Sequence, residues 1–78
     1  MHFSFEQQLR IDSGKKLGLP LHDFADPDYS PDRMTTIIHG LLAGLSKEEI
    51  EILRDKSISD TEASNRCFGM RISRPKAS

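Results

Sequence analysis

Four aspartates lie close together in one segment of the chain, at a spacing that resembles the start of a calcium-binding loop. They are Asp23, Asp26, Asp28 and Asp32. An EF-hand loop that begins at Asp26 needs glycine at its sixth position and glutamate at its twelfth, where this chain has Pro31 and Ile37. The sequence therefore does not predict calcium binding. We expect the four aspartates, called the acidic corner below, to bind basic groups of a protein partner.

Basic residues gather at the other end of the chain. From residue 66 onward the sequence contains four basic residues and no acid. These residues, called the basic segment below, are Arg66, Arg71, Arg74 and Lys76. A polar basic end is typical of a solvated tail, and it is also suited to contact phosphates or an acidic partner. Nucleic-acid binding or regulation through the basic segment is therefore the alternative functional hypothesis.

The overall charge limits the classes of partner. The chain has 11 basic and 12 acidic residues, which gives a formal net charge of -1. This balance argues against a general nucleic-acid coat and equally against a strongly acidic mimic of DNA. We therefore expect a protein partner first, and nucleic acid only through the basic segment.

Histidines and a single cysteine are the remaining candidates for chemistry. They are His2, His22, His39 and Cys67. No two of them have the short spacing of a zinc finger or zinc knuckle, and nothing in the sequence marks a histidine or an acid as the partner of Cys67. We therefore predict no metal site, no cofactor and no enzymatic activity.

The cellular setting follows from the same residues and from hydropathy. One cysteine excludes an intrachain disulfide and favours the cytoplasm. The first ten residues, MHFSFEQQLR, lack the apolar run and cleavage pattern of a signal peptide. No stretch approaches the roughly 20 apolar residues of a membrane span, so we expect no membrane contact.

Helix start and stop signals divide the chain into short helices. Capping boxes are predicted at Ser4 with Gln7, at Ser46 with Glu49 and at Ser59 with Glu62, and Ser30-Pro31-Asp32 is a further start signal. The predicted helices cover about residues 4–16, 31–43, 46–55 and 59–69, with one short helical turn within 21–25. The last helix is predicted to close near Gly69.

The helix that starts at Pro31 is predicted to form the centre of the fold. Its apolar residues recur at the spacing i, i+3, i+4, i+7 of one helix face. They are Met34, Ile37, Ile38, Leu41, Leu42 and Leu45. No segment shows the alternation of a strand. We predict an all-α fold, a compact bundle of four to five short helices, with one domain over residues 1–70 and a basic, flexible tail over 71–78.

Part of the chain is repeated at a constant shift of 26 residues. Ser4, Ile11, Gly14, Gly18 and Leu19 recur as Ser30, Ile37, Gly40, Gly44 and Leu45. This pattern predicts a domain built from a 26-residue helical repeat. Glycine inside a helix costs about 1 kcal/mol relative to alanine. Because Gly14 and Gly40 both accept this cost, we expect a neighbouring backbone to lie close to each of them.

The segment from Gly14 to Leu53 resembles a short helical repeat of bacterial, mobile-element-associated small proteins. Its pattern is G-L-x4-[FY]-A-x-P-x-[FY]-x3-Q-M-x2-I-x2-G-L-x2-G-L, and the match is clearest from Phe24-Ala25 through Gly44-Leu45. Arg33 stands where the pattern has glutamine. The resemblance implies an all-helical structure and a phage or mobile-element origin, and it supplies no catalytic residues.

Small size and the lack of a catalytic signature favour a binding function. A chain of 78 residues buries only about 60% of its unfolded surface, so a partner or a second copy of the chain would add needed stability. We expect a small cytoplasmic protein-binding module that can form a homodimer, for example a phage inhibitor of a host enzyme or defence complex such as an anti-CRISPR protein.

Overall fold

The computed structural model describes residues 2–73 as four α-helices joined by short loops. The helices are Phe5–Lys16 (α1), Pro31–Leu42 (α2), Lys47–Leu53 (α3) and Asp60–Ser73 (α4), and a 3₁₀ turn over Leu21–Asp23 follows α1. This part of the chain contains no strand, so the predicted all-α fold is confirmed. None of its helices has the length and apolar character needed to cross a membrane.

The helices begin where the capping residues predict. Ser4 Oγ accepts a hydrogen bond from the backbone N–H of Gln7 at 3.1 Å, and the Gln7 side chain accepts one from the N–H of Ser4 at 2.7 Å. Ser46 and Glu49 make the same reciprocal pair at the start of α3. Ser30 Oγ caps α2 by accepting from the N–H of Arg33. Local sequence therefore sets these three helix starts.

Two of the helices end in the same way, at glycines with positive φ. Gly18 follows α1 at φ 75° and Gly44 follows α2 at φ 78°. The next residue folds back in both cases: Leu19 donates its N–H to the Gly14 carbonyl, and Leu45 donates its N–H to the Gly40 carbonyl. These are Schellman endings, which need a residue that tolerates the left-handed conformation.

The predicted end of α4 near Gly69 is wrong. Gly69 does not have positive φ, and the helix continues to Ser73 because no proline interrupts it there. Arg71 is therefore helical, and the boundary predicted at residue 70 falls inside α4. The last five residues of the chain, which include Arg74 and Lys76, lie outside the described residues.

The core forms around α2, which packs against each of the other three helices. The largest fully buried side chains of the core are Phe24, Met34, Ile37 and Leu53. The predicted apolar stripe of α2 is confirmed except at Leu42, which is 55% exposed. Leu42 lies roughly 90° around the helix from the centre of the stripe, at its edge, so the other helices do not cover it.

The two glycines inside helices are packed against side chains, so the prediction of a neighbouring backbone is wrong. A Cβ added at Gly14 would overlap the Phe24 ring, and one added at Gly40 would lie 2.8 Å from Leu53 Cδ1. Phe24 and Ile50, which also approaches Gly40, are themselves 26 residues apart. The two segments thus agree in local geometry, and their origin in a repeat stays a prediction.

Candidate functional site

The structure places the four aspartates of the acidic corner in three different environments. Asp26 and Asp28 each accept a hydrogen bond from Lys56 Nζ at 3.0 Å. Asp23 Oδ1 lies 3.4 Å from His22 Nε2. Asp32 stands in the first turn of α2 and lines a separate groove. Lys56, distant in the sequence, thus pairs with two of the four aspartates, and the binding of a basic partner by the acidic corner stays a prediction.

Lys56 changes the electrostatics of this loop. The backbone N–H of Asp28 and the Lys56 ammonium both donate to Asp26, and together they hold its pKa below the usual value. The same hydrogen bonds to Asp26 and Asp28 raise the pKa of Lys56. Nζ also lies 5.4 Å from the centroid of the Tyr29 ring. One lysine pairs with two carboxylates here, so the contact keeps one net negative charge, and the Asp28 side chain is 71% exposed.

A polar groove of about 400 Å³ runs between α2 and α4. Its walls carry acids, hydroxyls, an amide and an imidazole. They include Asp32, His39, Asp60, Thr61, Ser64 and Asn65. In this groove, polar side chains of two different helices face the same space. We treat it as the candidate functional site.

Five side chains in the groove have unused hydrogen-bonding capacity. None of them makes a hydrogen bond or ion pair with another described residue: Asp32, His39, Thr61, Ser64 and Asn65. Thr35, on the same wall, is different, because its hydroxyl accepts from Arg10 Nε and donates to the Pro31 carbonyl. The groove therefore offers a carboxylate and several neutral polar groups to a ligand.

Asp60, which lines the groove, accepts hydrogen bonds from two side chains at the N-terminus of α2. Arg33 Nε donates to Asp60 Oδ1 at 3.1 Å, and Ser30 Oγ donates to Oδ2. The Asp60 side chain remains 46% exposed, whereas the Arg33 side chain is only 4% exposed. One carboxylate thus faces solvent on one side and neutralises a buried cation on the other.

Arg33 also binds the segment that joins α3 to α4. Its guanidinium donates to the carbonyls of Leu53 at 3.1 Å and Asp55 at 2.8 Å through Nη1, and to Ile58 through Nη2. The sequence does not reveal this role, because an arginine in the first turn of a helix is usually exposed to solvent. Its one signal was the departure from the repeat pattern, which has glutamine at this position.

The basic segment does not form one surface within the described residues. Arg66 Nε lies 2.8 Å from Glu62 Oε2 in an ion pair along α4. Arg71 is five positions later, so the two arginines point roughly 140° apart around the helix. Arg74 and Lys76 lie outside the part of the chain that the structure describes.

Cys67 and the histidines show no arrangement for catalysis or metal binding. Cys67 is buried and donates to the Thr36 carbonyl at 3.6 Å. Burial raises the pKa of its thiol, which lowers the fraction of reactive thiolate. Among residues 2–73, no group of three or more His, Cys, Asp or Glu is placed to hold a metal ion.

In comparisons with known proteins, no family model, no curated protein and no solved structure matches this chain. The resemblance to the mobile-element repeat stays a prediction.

Proposed function

We propose that this chain is a small, non-catalytic protein-binding module, and that the groove between α2 and α4 receives a basic side chain of its partner. The observation that carries the proposal is the set of unpaired polar side chains in the groove, with the Asp32 carboxylate among them. A lysine or arginine entering the groove would pair with this carboxylate and donate to the neighbouring hydroxyl and amide oxygens.

The distribution of charge favours a basic protein surface over nucleic acid as the partner of the groove. Residues 1–65 contain seven basic and twelve acidic residues, a net charge of -5. A phosphate backbone approaching Asp32 and Asp60 would be repelled, whereas a basic protein patch would be attracted and steered toward them.

A phage or mobile-element inhibitor of a host enzyme or defence complex is the concrete form of this proposal, for example an anti-CRISPR protein. The resemblance to the mobile-element repeat supports it, as does the absence of a recognisable catalytic pattern. Such an inhibitor acts sterically, because it covers basic groups with which its target holds nucleic acid.

The alternative is a nucleic-acid-binding or regulatory protein that uses the basic segment. The residues concerned are Arg66, Arg71, Arg74 and Lys76. The absence of acids from residue 66 onward supports it, and the pairing of Arg66 with Glu62 weakens it.

Affinity capture from host lysate, with and without nuclease, distinguishes the protein-binding function from the nucleic-acid-binding alternative. We expect a stoichiometric protein partner that survives nuclease and is lost with Asp32→Lys. Glu48→Lys is the matched control, because Glu48 is also an exposed acid in the first turn of a helix and lies outside the groove. Recovery that disappears with nuclease would overturn the proposal in favour of the basic segment.

A further inference from the structure

Two apolar side chains near the end of α4 are exposed to solvent, although this part of the helix is anchored to the core. Phe68 is 63% exposed and Ile72 is 64% exposed. Met70, on the opposite side of the same turns, packs against the core and holds them in place. Exposed apolar side chains that adjoin a polar groove are typical of an interaction surface.

Contacts between α2 and α4 show that the two helices run in the same direction along the groove. Arg33 donates to Asp60 near the two helix starts, and Cys67 donates to the Thr36 carbonyl further along both helices. The first turns of α2 and α4, each with an aspartate, therefore lie together at one end of the groove. Phe68 lies toward the other end.

Phe68 continues the wall that α4 contributes to the groove. It follows Thr61 by seven positions and Ser64 by four, and residues at these spacings share one side of a helix. Ile72 follows Phe68 by four positions and stands on the same side. Along this side of α4 the surface thus changes from polar groups to an apolar end, formed by Phe68 and Ile72.

We propose that the groove and its apolar end together bind an extended segment of the partner, in which a basic residue and an apolar residue are four positions apart. The basic residue pairs with Asp32, and the apolar residue packs on Phe68 and Ile72. Arg71, three positions after Phe68, repels a cation from the apolar end and so favours this placement. The inference rests on the proposed function, because it names the part of the protein partner that enters the groove.

The unpaired polar groups in the middle of the groove favour an extended segment over a helix. An extended backbone brings N–H and C=O groups that need partners, whereas a helix satisfies most of its own. Ser64 and Asn65 line this part of the groove and make no hydrogen bond with another described residue. The Asn65 amide can donate and accept at the same time, which matches one peptide group of the segment.

The length of the groove sets the spacing of the two anchoring residues. Asp60 and Phe68 are eight residues apart on α4, which is about 12 Å along the helix axis. An extended chain advances about 3.3 Å per residue, so four residues cover about 13 Å. Residues i and i+4 of such a chain also point to the same side. A basic residue at the acidic end therefore places the apolar residue at Phe68.

Titration of the full ¹⁵N-labelled chain with capped peptides, followed by ¹H–¹⁵N NMR spectra, tests this segment directly. The probes are Ac-Arg-Ser-Thr-Ser-Leu-NH2 and the same residues in reverse order. The control peptide, Ac-Ser-Arg-Leu-Thr-Ser-NH2, has the same composition with the two anchoring residues adjacent. We expect a probe to shift the amide signals of Asp32, Asn65 and Phe68 and to bind about tenfold more tightly than the control peptide.

Single variants assign the binding to the two ends of the groove. Phe68→Ala should reduce the affinity for the probe to that for the control peptide, and Asp32→Asn should weaken binding of both. Phe5→Ala is the matched control, because Phe5 is also an exposed phenylalanine on a helix and lies outside the groove, and it should leave the affinity unchanged. The spectrum of each variant also shows whether the variant is folded.

Three results would overturn the inference: equal affinity for probe and control peptides, no shift with any peptide, or equal losses for Phe68→Ala and Phe5→Ala. Signals of Phe68 and Ile72 that shift with protein concentration alone would assign the apolar end to a second copy instead. The proposed function is judged separately by capture from lysate. A partner that is lost with Asp32→Lys and kept with Phe68→Ala would preserve the protein-binding groove and overturn only the extended segment.

Discussion

At the scale of single residues, Arg33 is a buried cation that connects α2 to α4 and to the segment before α4. It places one positive charge in the interior and satisfies it with Asp60 and the carbonyls of Leu53, Asp55 and Ile58. Arg33→Met leaves these carbonyls without their donor, and each lost hydrogen bond to a charged group costs about 1.5–3 kcal/mol. We predict that Arg33→Met lowers the free energy of unfolding by about 3 kcal/mol or more, measured by urea titration with circular dichroism.

Two further variants show that this effect belongs to the buried arginine. Arg66→Met removes an exposed ion pair along one helix and should change the free energy of unfolding by less than about 1 kcal/mol. Arg33→Lys should recover little of the lost stability, because one lysine ammonium cannot reach all the acceptors that the wider guanidinium contacts. Equal losses for Arg33→Met and Arg66→Met would contradict the role assigned to Arg33.

The second prediction at this scale concerns two glycines, where substitution by alanine should change the free energy of unfolding in opposite directions. Alanine at Gly14 would overlap the Phe24 ring, so Gly14→Ala should destabilise by about 1–3 kcal/mol through overpacking. Gly69 has nothing within 4 Å of an added Cβ, so Gly69→Ala should stabilise by up to about 1 kcal/mol through helix propensity. Urea titrations at low protein concentration measure both, and a common sign would refute the packing argument.

At the scale of elements, the starts of α1 and α2 look alike in sequence and differ in what they support. Ser4 caps α1 by a local pair with Gln7, whereas Ser30 caps α2 and also donates to Asp60 of α4. Loss of a serine cap costs about 1 kcal/mol. We predict about that loss for Ser4→Ala and about twice it for Ser30→Ala, because the second hydrogen bond is also lost.

Thermal unfolding of the two alanine variants measures this difference. Asp60→Ala, made alone and combined with Ser30→Ala, tests whether the extra cost arises from the contact between Ser30 and Asp60. The combined loss should be smaller than the sum of the single losses. Additive losses would show that Ser30 acts only as a cap.

How much of this structure follows from sequence depends on how local each interaction is. The starts of α1, α2 and α3 and the two glycine endings involve residues a few positions apart, and the sequence predicts them. The pairing of Lys56 with Asp26 and Asp28 spans about 30 residues, so the sequence does not reveal it. The buried role of Arg33 and the groove were missed for the same reason.

At the scale of the whole molecule, Lys56 connects the loop before α2 to the loop before α4, and this contact should depend on pH. The pKa of Asp26 is lowered from 3.8, so its contribution to stability is present above that pH and is lost as pH falls through the lowered value. The pKa of Lys56 is raised from 10.5, so its contribution is present below that pH and is lost as pH rises through the raised value.

We therefore predict that Lys56→Met lowers the Tm near neutral pH and that the difference from the unmodified chain shrinks at both extremes of pH. Thermal unfolding across the pH range measures it. Lys16→Met is the control, because Lys16 makes no ion pair within the described residues. A Tm difference for Lys56→Met that stays constant through the acid range would contradict the proposed contact.

The contacts of Arg33 affect where a protease can cleave this chain. The segment between α3 and α4 contains Arg54 and Lys56, two peptide bonds of the type that trypsin cleaves. A protease must draw several residues into an extended strand, but carbonyls on both sides of Lys56 are bound by one interior guanidinium. In brief tryptic digestion we expect cleavage after Lys16 to precede cleavage here, and Arg33→Met to reverse that order. The connecting segment is thus protected from cleavage by a buried side chain, which trypsin itself does not contact.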